Sequence, residues 1–422
     1  MNNPIKNDNL KNSLSNKLYG GLRNCAKAGG RLHLWSNDLK PFYEEASKKL
    51  VEWIDQDDLV EIIYSQTSQL LGSDDVFKNE NQELHLIIGE QVCRDIAALV
   101  IEKIASLPIR YFFDFPAPNL VGLSNVFDLC DSVRLIPREK LNAENIGSFT
   151  RLRQSSISIG ACGYAKNSQH NTAARNALSK LKVVCVIGRI FGLFMSRPGS
   201  NPMTFEMAGL KTKSIFATKI VESEGDFAHV GEFDLGLSIS SYMNNLSFSF
   251  DPEWSGFSEK IREIGLAIEL MDNPKAEKNV RSIRRALEWL FDAETDEDVT
   301  TRFIKICIGL EAVLGEQSKD LGITEQLADR CAFILNKTTE DRKNTREAMK
   351  EIYKLRSQIV HGVSSRLTHK EAGIVAKAKL YLDRVLRSEI SSLLDWWRDK
   401  QEQEKRDAKI MKGPDSGLPE TV

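Results

Sequence analysis

The chain has 422 residues, of which 41% are hydrophobic and 27% are charged, and its formal net charge is −2. This length gives room for two or three domains, and the composition is that of an ordinary globular protein. The near-neutral charge excludes a globally basic nucleic-acid-binding protein, so any site for nucleic acid must be local.

The cysteines and the apolar runs exclude further classes of site. The seven cysteines are dispersed and none has the spacing C-x-x-C, which argues against a zinc ribbon or a thioredoxin-like site. Such a set is typical of reduced thiols in a cytosol. The polar N-terminus has no signal-peptide core, and the most apolar run, 183–195, is too short to span a bilayer. We expect a cytoplasmic protein without a metal, a cofactor or membrane association.

Residues 1–252 are predicted to form a mixed α+β module. Helical periodicity is found in 41–71 and 83–107, and Pro108 ends the second pattern. The segment 171–195 predicts a long buried helix. Six further segments are β-prone and predict strands, namely 109–120, 131–139, part of 148–165, 214–223, 233–243 and 246–251. We expect this module to have a sensor or regulatory role.

Residues 253–400 are predicted to be all-α, so the fold class is α+β with a C-terminal helical bundle. Apolar residues recur at spacings of three and four in six segments, which are 257–271, 280–291, 299–314, 323–335, 345–360 and 367–397. Pro252 marks the predicted boundary between two separately folding units. The polar segment 401–422 predicts a disordered tail.

The segment 347–362 predicts an amphipathic helix that Gly362 ends, with Arg356 and His361 at its C-terminal end. Arginine offers a permanent charge and a planar fork of donors for phosphate, and histidine exchanges a proton near neutral pH. The pair could supply a base for the ribose 2′-OH and a charge for the developing phosphorane. Arg356 and His361 lie about 140° apart on an ideal helix, whereas Ser357 shares a face with His361. Arg356 and His361 therefore converge only if the helix ends before His361 or if two copies of the motif face each other.

Other charged residues have more than one open interpretation each. Glu311 lies in an apolar stretch, and a buried carboxylate needs a partner. The partner is either Arg356 or His361, which would orient a site, or a structural arginine such as Arg330 or Arg284. Alternatively, Glu311 is exposed on the helix surface. A basic cluster on one predicted helix consists of Arg281, Arg284 and Arg285. This cluster either contacts RNA phosphates or forms a solvated helix face.

The segments GLEAVLG (309–315), LADRCAFIL (327–335) and KLRSQIVHG (354–362) together resemble the HEPN superfamily, and within it the Apea-like group. The resemblance covers roughly residues 255–400. It implies a helical bundle that forms a homodimer and is often a metal-independent endoribonuclease, used in anti-phage defence by abortive infection or as a toxin. Arg356 and His361 would then be catalytic, with Ser357 and Glu311 as orienting groups, and the RNA products would carry a 2′,3′-cyclic phosphate.

The resemblance has two further consequences, one for the partners of the protein and one for its alternative function. The N-terminal module becomes a candidate sensor of a phage-derived or nucleotide trigger. The alternative function is a non-catalytic HEPN-like module for dimerisation or for binding RNA or a nucleotide. Ser357 favours this alternative, because many active members carry Asn, Asp or His directly after the arginine.

Overall fold

The fold is α+β, with an antiparallel sheet and a helical C-terminal region. The computed structural model describes residues 5, 7–25, 27–28, 31–50, 53–71, 82–137, 155–166, 168–196, 216–223, 226–249, 255–273, 278–315, 322–362 and 366–411. Among these residues, no helix combines the length and the apolar character needed to cross a membrane.

The N-terminal part consists of helices α1 (Asp8–Arg23), α2 (Lys40–Leu50), α3 (Gln56–Leu71), α4 (Leu84–Ile88) and α5 (Glu90–Ala105), with a short hairpin of β1 (Lys27–Ala28) and β2 (Arg31–Leu32). The helices predicted in 41–71 and 83–107 are confirmed. Their buried side chains form an apolar cluster of their own, which runs from Ile5 to Leu107 and includes Tyr164.

The central sheet contains strands β3 (Ile109–Pro116), β4 (Phe127–Cys130), β5 (Val133–Ile136), β6 (Ser156–Gly163), β8 (Phe216–Ser223) and β9 (Asp226–Asp234). Their order is β4-β5-β6-β3-β8-β9, and every neighbouring pair is antiparallel. Strands β7 (Phe194–Ser196) and β10 (Leu246–Phe248) form a separate pair. The strands predicted in 109–120, 131–139, 148–165, 214–223 and 246–251 are confirmed where they overlap these ranges, and their residues 138–139, 148–154, 214–215 and 250–251 lie outside the described part.

The strand predicted at 233–243 is wrong after Asp234. The chain turns at Gly236, whose φ is 74°, and residues Leu237–Asn245 form helix α7. Ser240 and Met243 are three positions apart and both are fully buried, which is the spacing of one helix face. A short apolar run fits either period, and here packing of the helix face decides between them.

The helical region contains α6 (Thr172–Ile190), α8 (Phe257–Asp272), α9 (Lys278–Glu294), α10 (Val299–Leu314), α11 (Ile323–Leu335), α12 (Thr339–Val360) and α13 (Ala372–Met411), with a 3-10 turn at His369–Glu371. All of the helices predicted after residue 253 are confirmed. Residues 401–411 continue α13, and the disorder predicted for 401–422 stays a prediction. Side-chain pairs at spacing four support this exposed end of the helix, Arg406–Glu402 and Gln403–Asp407. Residues 412–422 lie outside the described part.

One apolar core joins the sheet, α6 and the C-terminal helices. Its buried residues run from Tyr111 to Leu394, so the core crosses the boundary predicted at Pro252, which itself lies outside the described residues. Helix α8 approaches β4 so closely that a Cβ on Gly265 would lie 1.7 Å from the carbonyl oxygen of Leu129. The division into 1–252 and 253–400 stays a prediction, whereas the two apolar clusters separate near residue 108.

Helix α6 packs against both parts of this core, the sheet and the C-terminal helices. Its side chains from Val183 to Ile187 are fully buried. The Arg189 guanidinium lies 3.0 Å from the Glu294 carboxylate and 2.6 Å from that of Asp383. These two carboxylates belong to α9 and α13, so one arginine from the N-terminal side of residue 252 links two helices from the C-terminal side.

Candidate functional site

Helix α12 ends directly before His361. The backbone N–H of His361 donates to the Ser357 carbonyl over 3.0 Å, and the N–H of Gly362 donates to the Ile359 carbonyl over 3.1 Å. Gly362 has a φ of 73°, the left-handed conformation that favours glycine at a helix C-terminus. The helix end predicted from Gly362 is confirmed.

Arg356 is held by Glu311 of α10. The Arg356 Nη2 atom lies 3.3 Å from Glu311 Oε1, and the two side chains are 30% and 25% exposed. The pairing of Glu311 with Arg356 is therefore the alternative that the structure shows, while Arg330 donates instead to the Leu314 carbonyl. The Nε atom of Arg356 is buried and has no hydrogen-bond partner among the described residues. A buried unsatisfied donor is costly, so an acceptor that reaches it gains a strong hydrogen bond.

Two residues that sequence analysis missed pack beneath this ion pair. The Tyr353 hydroxyl donates to the carbonyl oxygen of Cys307 over 3.3 Å, which fixes α12 against α10. Burial raises the pKa values of the Tyr353 hydroxyl and the Cys307 thiol, so both stay protonated at neutral pH. Burial also raises the pKa of Glu311, and Arg356 opposes this shift. The spacing in the sequence could have indicated Tyr353, because it precedes Arg356 by three positions and so lies on the same face of the helix.

Ser357 and His361 lie apart from this pair. Both side chains are exposed, and neither makes a hydrogen bond or an ion pair with the described part of the chain. The neighbouring apolar side chain of Val360 is 51% exposed. Arg356 is thus anchored inward against α10, whereas His361 is presented at the surface together with an apolar neighbour.

The basic cluster on α9 is divided between two environments. Arg281 and Arg285 are exposed. The Arg284 guanidinium is occupied internally, because it donates to the Met271 carbonyl, to the side chains of Asp272 and Ser179, and to Glu288. Arg284 therefore serves the packing of α9 against α6 and α8, and only the two exposed arginines are free to meet a ligand. Among the described residues, no group of three or more His, Cys, Asp and Glu side chains is placed to hold a metal ion.

No protein-family model matches the sequence, and comparison with curated proteins and with solved structures also returns no match. The likeness to the HEPN superfamily therefore depends on the quoted sequence segments alone.

Proposed function

We propose that the protein is a metal-independent endoribonuclease of HEPN type, used in anti-phage defence by abortive infection or as a toxin. One observation carries the proposal. Arg356 lies just before the end of α12 with a buried donor that has no partner among the described residues, and His361 lies directly after that end with an imidazole that contacts none of their polar groups. A fixed cation and a titratable base at one helix end are the groups that RNA transesterification requires.

The proposed reaction assigns one role to each group. His361 takes the proton of a ribose 2′-OH, and the 2′-oxygen attacks the adjacent phosphorus. Arg356 donates to the non-bridging oxygens as negative charge grows on the phosphorane. The bond from phosphorus to the 5′-oxygen then breaks, the 5′-oxygen takes up a proton from solvent, and His361 returns the proton that it accepted to solvent. The products are a 2′,3′-cyclic phosphate and a 5′-hydroxyl, and Glu311 and Ser357 act as orienting groups.

Expression in bacterial cells tests the proposal. We expect the wild-type chain to slow growth and degrade total RNA, either constitutively or on phage infection, and we expect His361→Ala to leave growth and RNA unaffected. The matched control is His170→Ala, because His170 is an exposed histidine outside the site. RNA that stays intact with the wild type in both conditions, or equal RNA loss with His361→Ala, would contradict the proposal.

We further propose that the active form is a homodimer in which two α12 ends face each other. In one protomer Arg356 is anchored to Glu311, while His361 and Val360 face outward. A two-fold axis beside α12 would bring His361 of one copy towards Arg356 of the other and would cover both Val360 side chains.

Light scattering measures this assembly. At tens of micromolar we expect twice the mass of the 47.6 kDa chain. Val360→Asp should shift the protein towards the monomer, because it would place two carboxylates at the shared axis. A monomer both without and with RNA would exclude this arrangement.

The second candidate function is a non-catalytic HEPN-like module that dimerises or binds RNA or a nucleotide. The ion pair of Arg356 with Glu311 favours it, because this pair must loosen or share its donors before Arg356 can bind phosphate. In that case RNA would be bound through exposed residues such as Arg281 and Arg285 and would be recovered intact.

A further inference from the structure

A cavity of about 490 Å³ lies where the end of α5 meets strands β3, β8 and β9, far along the chain from the proposed nuclease site. Three lysines line it, Lys103, Lys166 and Lys219. Among the described residues that line the cavity, none is acidic. Its volume falls in the range of about 300–1,000 Å³ that is typical of small-molecule sites.

The rest of the cavity wall is apolar because of the strand register. Tyr111 on β3 is paired with Val221 on β8, and Phe113 is paired with Lys219. Directly paired residues and residues two apart share a face of the sheet, so Tyr111, Val221 and Lys219 project to the same side. Ile109 continues this face. The Lys219 amine therefore lies at the edge of an apolar surface.

Lys219 is unusual because its amine-bearing side chain is buried in the sheet. Its side chain is 3% exposed, and its Nζ donates to the backbone carbonyl of Lys166. Burial lowers the pKa of Lys219 to about 8, and Glu61 opposes the shift in part. Glu61 itself lies 3.5 Å from the Lys166 amine. Glu61 therefore acts on Lys166 and Lys219, and the described residues that line the cavity carry three amines and no carboxylate.

We propose that this cavity binds a small anion, a phosphate or a carboxylate carried on an apolar or aromatic body of about the size of a nucleoside monophosphate. The anionic group is held by the lysines, and the apolar body lies on Tyr111, Val221 and Ile109. The inference does not depend on the nuclease proposal, because no residue is shared between the two sites.

Pyridoxal 5′-phosphate tests the site in the full chain, since it carries a phosphate, an aromatic ring and an aldehyde. The Lys219 amine condenses with the aldehyde to an imine and releases one water, and added borohydride supplies the hydride that makes the product a stable secondary amine. Mass spectrometry then locates the label. At pH 7 an amine with a pKa of about 8 is neutral about 10² times more often than an ordinary lysine amine.

We expect Lys219 to be labelled at least about tenfold faster than the exposed control Lys354. Adenosine monophosphate or benzoate should protect Lys219 without protecting Lys354, and the more effective of the two identifies the phosphate or the carboxylate. Lys219→Arg should lose the label and still bind the protecting anion. Lys103→Gln, at an exposed position, should slow labelling of Lys219. Equal labelling of Lys219 and Lys354, or failure of both anions to protect, would overturn the inference.

Discussion

A fragment that begins at residue 251 is expected to lose cooperative folding, although its apolar pattern alone predicts an independent helical bundle. The fragment lacks α6, whose buried side chains include Val184 and Ile187. Each fully buried Val, Leu or Ile contributes about 1.5–3 kcal/mol, and the net stability of a domain is only about 5–15 kcal/mol. Removal of α6 and the sheet therefore costs more burial free energy than the net stability of the remaining helices.

The loss of Arg189 adds an electrostatic cost to the same fragment. Glu294 and Asp383 are 11% and 22% exposed and would lose their arginine partner. Breaking a buried pair costs about 3–5 kcal/mol. Lys379 lies 2.9 Å from Glu294 and 3.1 Å from Asp383 and remains in the fragment, so we expect a cost below this range.

Thermal melts followed by circular dichroism, together with binding of a hydrophobic dye, measure this prediction. We expect a broad, non-cooperative melt and strong dye binding for the fragment from residue 251. A fragment that begins at residue 109 keeps the sheet and α6 and is the control, which should melt cooperatively. A sharp transition of the shorter fragment at the Tm of the full chain would show that the division at residue 252 is a true domain boundary.

Arg356→Ala is expected to lower the rate of RNA cleavage at least about 10²-fold, the usual scale for one electrostatic or acid–base group. It should also destabilise the protein, because Glu311 loses its partner. Burial raises the pKa of Glu311, so folding disfavours the ionised carboxylate and stability falls as the pH rises through this pKa. Without Arg356 the loss should be greatest at neutral pH and should diminish in acid.

A double variant separates the two effects of Arg356. In Arg356→Ala with Glu311→Gln no carboxylate is left without a partner, so we expect the Tm at pH 7 to recover while the cleavage rate stays low. The measurements are thermal melts between pH 4 and pH 7 and cleavage of a fluorescent single-stranded RNA in EDTA. If cleavage recovered together with the Tm, Arg356 would have only a structural role.

The helices after residue 253 could be predicted from sequence because each buries one apolar stripe with period 3.6. The prediction for α10 gave its observed bounds, Val299–Leu314. Strand β4 was not predicted, because its four residues are defined by pairing with β5 and by the packing of α8, which a local pattern does not contain. Helix α7 was missed for the same reason, since packing of Ser240 and Met243 decides its conformation.

The candidate site was predictable in part. Glu311 could be predicted as a site residue because a carboxylate in an apolar helix needs a partner. Gly362 predicts where α12 ends. The internal role of Arg284 could not be read from its neighbours Arg281 and Arg285, because its partners come from α6 and α8. The lysine cavity depends on the pairing of β3 with β8, whose residues are about a hundred positions apart in sequence.

The chemistry of the RNA ends formed by the full chain in EDTA tests the nuclease assignment most directly. If His361 deprotonates the 2′-OH, the products must carry 2′,3′-cyclic phosphate and 5′-hydroxyl ends, which mass spectrometry of a short oligonucleotide distinguishes. We predict these ends for the wild type and at least about a 10²-fold slower appearance for His361→Ala. Products with 3′-hydroxyl and 5′-phosphate ends, or cyclic ends formed equally fast by His361→Ala, would contradict the assignment.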